Sequence, residues 1–186
     1  SPHNSYPWSM AWFNGRLYVG TVRDVLCFHR TGEDSDVTDC PNLETGIPGT
    51  EQRGEIWRYT PGGLHGLDGA WERVYRSPNV SFEIGFFVPR DTPRDIGYRN
   101  MVVSNVGDGV SRLYTTTLGI PGNVLYYNGS SFVAASQSGL RNSSLDLAQG
   151  AVDLGYRAMT EFKGRLWIAP CGLPTDPDVT DYPVVY

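Results

Sequence analysis

A chain of 186 residues with 22 Gly, 13 Pro and 12% aromatic residues is rich in turn formers and strand formers, and long enough to bury one sizeable core. Its formal net charge of −5 comes without any run of Lys or Arg, so the basic stripe of a nucleic-acid surface is missing. No apolar stretch approaches the length of a membrane-spanning helix, and membrane insertion is not expected.

Residues 1–8 are rich in Pro and aromatic side chains and lead into a strand from Met10 to Phe13. Asn14-Gly15 follows, the pair that best tolerates the positive φ angles of a tight hairpin turn. Arg16 to Val22 reads as the return strand. Residues 24–53 form an insertion carrying Asp34, Asp36 and Asp39, either a functional loop or a local subdomain. Gly54 to Tyr59 reads as a third strand. Trp71 to Tyr75 alternates apolar and charged side chains, as a half-exposed fourth strand does. Residues 76–96 read as a connector, with Pro78, Pro89 and Pro93 and the pairs Arg90-Asp91 and Arg94-Asp95.

The pattern then returns. Strands are expected over 98–104, 111–117, 123–127 and 131–136, the last two joined through Asn128-Gly129. After a second connector, 137–154, strands are expected over 157–162 and 165–169, with a further one beginning near Asp181. The three methionines of the protein, Met10, Met101 and Met159, open the three units at one repeat position. The hairpin Met10 to Thr21 recurs at Met159 to Ile168, with Phe, Gly, Arg, Leu and an aromatic at the same offsets. Repeats of this size with four strands each predict an all-β propeller over a sandwich, which leaves the recurring hairpin unexplained. The expectation is one propeller segment over 1–186. Its first blade spans about 6–78 with the insertion 24–53, its second about 97–137, and an incomplete third about 155–186. Remaining blades would come from a longer chain or from another copy.

The runs Phe13-Asn-Gly-Arg-Leu-Tyr-Val-Gly-Thr21, Gly54-Glu-Ile-Trp-Arg-Tyr59 and Trp71-Glu-Arg-Val74 together resemble a blade of the Kelch-like β-propeller repeats. Gly20-Thr21 stands where the Kelch doublet has two glycines. The resemblance implies a fold; such structural motifs carry almost no function.

Propeller ligands sit where the inner strands and their loops meet. Trp8, Arg99 and Arg157 share one repeat position, two residues before each methionine. The two guanidinium forks suit an anionic group, and the indole suits a sugar or another ring. The competing expectation pairs each Arg with a structural carboxylate such as Asp95 or Asp153. Arg23 and Asp24 are further loop candidates, as are the Arg90-Asp91 and Arg94-Asp95 pairs, with solvated loop pairs as the alternative. Trp57, Tyr59 and Trp71 are expected in the core between blades.

Cys27 and Cys40 bracket the insertion and form a disulfide candidate, with three ordinary thiols as the equal alternative and Cys171 left over. No metal site or cofactor is expected, because His3, His29 and His65 show no ligand spacing and the Asp clusters lack EF-hand spacing. No Gly-x-Ser-x-Gly elbow surrounds Ser9, Ser104 or Ser136. The expected function is therefore a non-enzymatic module binding a protein or glycan partner through loops on one face. The alternatives are a hydrolase or lyase gripping an acidic substrate through Arg99 and Arg157, and a structural or assembly component. A secreted or cell-surface setting is the expectation for the compartment.

Overall fold

A computed structural model describes residues 4–23, 52–63, 68–82, 90–119, 122–136 and 155–170. The disulfide candidates Cys27 and Cys40, the aspartates of the insertion, all three histidines, Asp24, Asp153 and residues 171–186 lie outside the described residues. The described chain is all-β.

The first unit is an antiparallel meander of β1 (Asn4–Phe13), β2 (Arg16–Arg23), β3 (Glu55–Thr60) and β4 (Ala70–Arg76). The turn at Asn14-Gly15 has φ of 48° and 72°, the double positive φ that this residue pair was expected to supply. A short hairpin follows, β5 (Asn79–Phe82) with β6 (Arg90–Pro93). Its strands lie in the stretch that reads as an irregular connector; Pro78 precedes β5 and Pro93 closes β6, so neither interrupts a strand.

The second unit repeats the meander with β7 (Asp95–Ser104), β8 (Arg112–Gly119), β9 (Val124–Tyr127) and β10 (Phe132–Ala134). A third unit contributes the hairpin β11 (Tyr156–Phe162) and β12 (Arg165–Pro170), turned at Lys163-Gly164 with φ of 51° and 72°. The first two units join into one eight-stranded sheet that curls like half a barrel.

The joints between units repeat. Val22 in β2 bridges Gly97 in β7, and Leu118 in β8 bridges Gly155 just before β11. The two glycines share one repeat position, and so do Val22 and Leu118. A Cβ on Gly97 would stand 2.9 Å from the Trp8 ring and 2.9 Å from Val22. A Cβ on Gly155 would stand 2.5 Å from the Thr117 carbonyl oxygen.

Two apolar seams fill the spaces between units. Side chains alternate along each strand, so every unit has two faces. In the first seam Phe13, Tyr18 and Ile56 of the first unit meet Tyr98, Leu113, Leu125, Tyr127 and Phe132 of the second, with Met101 packed against them. In the second seam Tyr114 and Val124 of the second unit meet Tyr156, Met159 and Ile168 of the third. Tyr18 and Tyr114, Ile56 and Val124, Tyr98 and Tyr156, and Met101 and Met159 are pairwise equivalent by register. The polar contacts repeat as well. The Ser9 hydroxyl donates to the Tyr98 carbonyl at 2.8 Å, and the Thr116 hydroxyl donates to the Tyr156 carbonyl at 3.3 Å.

Gly97→Ala and Gly155→Ala are expected to destabilise the fold by about 1–3 kcal/mol, the usual cost of forcing extra atoms into a close approach. Gly155→Ala should cost more, since backbone rather than side chain blocks its Cβ. Urea denaturation of both variants measures the order.

Candidate functional site

The ends of the strands sort into two groups. The hairpin turns lie at one end of the sheet. At the other end stand the last residues of β2, β4 and β8 and the first residues of β3 and β7. Among the described residues the buried charges Arg23, Glu55 and Asp95 sit at this second end, and so do Trp8 and Arg99.

Glu55 opens β3 and is buried. The Arg73 guanidinium donates to its Oε1 at 3.0 Å, Arg23 lies 3.3 Å and Arg76 3.6 Å from the same oxygen, and the Trp57 indole donates to Oε2 at 3.1 Å. The register causes this convergence: Arg76 is the cross-strand partner of Glu55, and Trp57 with Arg73 lies two pairs along. Arg23 was expected in a loop, either as a ligand contact or as half of a solvated pair. It instead ends β2 inside the molecule, 2% exposed, and is held by Glu55.

Asp95 opens β7 and is fully buried. Both Nε and Nη2 of Arg94 donate to its Oδ2, at 3.1 and 2.7 Å, and Asn123 Nδ2 donates to Oδ1 at 3.3 Å. Its backbone N–H donates to Ser77 Oγ at 2.8 Å, and its carbonyl accepts from Gly54 N–H at 2.9 Å. Arg94 Nη2 also donates to the Tyr75 hydroxyl at 2.9 Å. The Arg94-Asp95 pair is therefore an internal clamp between the first two units, not a solvated loop pair. Burial pushes the Asp95 carboxyl up from its ordinary value, and the charge of Arg94 offsets part of that rise. Burial likewise raises the Tyr75 and Tyr98 phenols.

The remaining candidates stand together on the first strands of the units, with β7 packed between β1 and β11. The Arg99 guanidinium lies 4.8 Å from the centroid of the Trp8 ring, a cation–π stack across the first joint. Beyond it, Trp8 packs on the small cluster of Val22, Ile96 and Leu118. Tyr6 meets Trp8 edge-on at 6.2 Å. On β11 the Arg157 side chain is exposed, and its carbonyl accepts from Asn100 Nδ2. Neither Arg99 nor Arg157 enters an ion pair among the described residues. Of the carboxylates expected as structural partners, Asp95 is taken by Arg94 and Asp153 lies outside the described residues.

Trp57, Tyr59 and Trp71 depart from the expected core. Trp71 is 53% exposed, and Trp57 and Tyr59 are half-buried, because all three face away from the second unit. Tyr59 and Trp71 stack with ring centroids 5.1 Å apart. Asn128 is a turn residue, its Oδ1 accepting from the backbone N–H groups of Ser130 and Ser131. Among the described residues no cluster of His, Cys, Asp and Glu suits a metal ion, and no helix is long and apolar enough to cross a membrane.

Comparison with family models, with curated proteins and with solved structures returns no match for this chain.

Glu55→Gln would leave three guanidiniums around a neutral amide. The expected loss is about 3–5 kcal/mol, as for breaking a buried ion pair from one side, read by denaturant unfolding at neutral pH. Asp95 adds a pH dependence. A carboxyl with a raised folded pKa holds its proton more tightly folded than unfolded. Its contribution is complete below the unfolded value of about 3.9 and is lost as pH rises through the folded value. Unfolding free energy should therefore fall as pH climbs from about 4, and Asp95→Asn should flatten that fall in a series of urea titrations. An unchanged slope would remove Asp95 as its source.

Proposed function

We propose that the three units are consecutive blades of a Kelch-like β-propeller, and that the protein is a non-enzymatic binding module for a protein or glycan partner. Of these two partners, the side chains on the inner strands favour an acidic glycan. The observation that carries this reading is the row Trp8, Arg99 and Arg157. One repeat position on three neighbouring strands presents an indole, a guanidinium stacked on it and an exposed guanidinium. An aromatic platform beside planar cationic forks suits a ring that bears a carboxylate or sulfate.

The propeller reading is supported by the equivalent joints and seams. A row of β meanders that each bury one face on the next is how such repeats gain stability. The choice of binding over catalysis is supported by the state of the buried carboxylates. Hydrolysis of a glycoside needs an acid and a second carboxylate free to face the bond. Glu55 and Asp95 are each wrapped by guanidinium and other donors, which fits a structural role.

Immobilised uronic-acid and sulfated oligosaccharides should retain the protein, with neutral sugars of the same backbone as controls. Retention should fall as salt rises, because the contact is charged and near the surface. Arg157→Ala should weaken binding about tenfold, the loss of one hydrogen bond to a charged group, while leaving the melting temperature unchanged. Equal retention of neutral and acidic sugars, or no effect of Arg157→Ala, would sink the reading. Release of a cleaved product from the bound sugar would favour the hydrolase or lyase instead.

A further inference from the structure

Among the described residues, the two outermost faces of the row repeat the faces buried inside it and are more exposed. Consider first the face of the first unit that points away from the second. Its register positions match the buried face that the second unit presents to the first seam. Met10 stands where Met101 stands, Leu17 where Leu113 stands, Trp57 where Leu125 stands, and the pair Tyr59 and Trp71 where Tyr127 and Phe132 stand. The aromatic pairs match in geometry too, with centroids 5.1 Å apart in the first unit and 5.3 Å in the second. Their surroundings differ. Leu113, Leu125, Tyr127 and Phe132 are buried, and Phe132 is 3% exposed, whereas Trp71 is 53% and Met10 62% exposed.

The third unit shows the converse. Its outward face carries Phe162 and Trp167, at the repeat positions of Phe13 and Tyr18. Phe13 and Tyr18 are 7% and 1% exposed because the second unit covers them, whereas Phe162 is 57% and Trp167 39% exposed. One end of the row thus offers the methionine half of a seam. The other end offers the aromatic half.

We propose that these two faces bind each other between copies of this chain, so that the protein associates head to tail through a third seam of the internal kind. Met10 of one copy would pack toward Trp167 of the next, as Met101 packs into the cluster of Tyr18 and Met159 into that of Tyr114. A second copy is the occupant because its third unit presents Phe162 and Trp167, the counterparts of Phe13 and Tyr18 that meet the methionine half inside the row. A mixed contact of this kind is heterologous and closes into a ring or extends as a row. The intermolecular seam is weaker than the internal ones. Ala158 and Ala169 stand where Ser9 or Asn100 and Thr116 supply hydrogen-bond donors inside the row, so the new seam rests on apolar contact. Association should accordingly depend on concentration. The inference does not depend on the glycan reading.

Analytical ultracentrifugation across the micromolar range tests it. The weight-average mass of the wild type should climb with concentration. Met10→Asp and Trp167→Asp should each be monomeric alone, because each has lost one half of the seam. Mixed in equal amounts they should form a one-to-one dimer, since each retains the half that the other lacks. Trp71→Lys and Phe162→Lys form a second such pair, and circular dichroism selects whichever pair keeps the strand spectrum. A wild type that stays monomeric, a single variant that associates like the wild type, or a mixture that stays monomeric would each overturn the proposal.

Discussion

At each seam a methionine and a tyrosine from the first strand of one unit press into a cluster with a tyrosine from the second strand of the unit before. Tyr18, Tyr98 and Met101 do this once, and Tyr114, Tyr156 and Met159 do it again. A fully buried apolar side chain contributes roughly 1.5–3 kcal/mol, against about 0.5–1.5 for a net hydrogen bond. The apolar contact therefore carries most of the stability of each seam. The hydroxyl contacts of Ser9 and Thr116 add little energy and fix where one strand lies along the next. No unit can bury both of its faces by itself, so the meanders depend on one another for a core.

That dependence explains the glycines at the joints. For the seam to close, β7 must come near β2, and the chain entering β11 must come near β8. At Gly97 the approach is to a side chain, the Trp8 ring, and at Gly155 it is to backbone. The same closeness places Arg99 above Trp8. The cation–π stack is thus a consequence of how the first two units pack, and the site inherits its geometry from the seam. Arg157 lies one joint further on with its side chain in solvent, which leaves it the more adaptable of the two cations.

Much of this order is written locally, and the part that is not has a physical reason. Hairpin positions follow from Asn14-Gly15 and from the Arg-Leu-aromatic return strands, because turn chemistry and alternation act over a few residues. The repeat of Met10, Met101 and Met159 marks equivalent positions without saying which of them are covered. Coverage depends on whether a neighbouring unit is present, which is why Trp57, Tyr59 and Trp71 read as core and yet stand on a face that no other described unit covers. The charged networks were the least legible. Arg23 precedes an insertion and Asp95 follows three prolines, so local composition marks both as loop. Their burial comes from partners 32 and 28 residues away, Glu55 and Asn123, that no local pattern joins to them. The one available hint was the parity of the Gly54-Glu-Ile-Trp run, which puts Glu55 and Trp57 on the same side of a strand.

An apolar seam alone leaves register loose. Alternate residues of a strand share a face, so a slip of two residues would still set apolar against apolar. The polar contacts at the joint remove that freedom. The Asp95 backbone N–H reaches Ser77 Oγ, its carbonyl accepts from Gly54 N–H and Arg94 donates to the Tyr75 hydroxyl only when the second unit sits at one height against the first. A slip would break these bonds while leaving their groups buried, at a cost of about 1–3 kcal/mol for each unsatisfied group. Within the first unit, Glu55 likewise fixes the ends of β2, β3 and β4 against one another. Hydrophobic burial thus draws the units together, and the hydrogen bonds at the joint select the single height at which they settle. Through that choice of height, they also determine that Trp8 lies under Arg99.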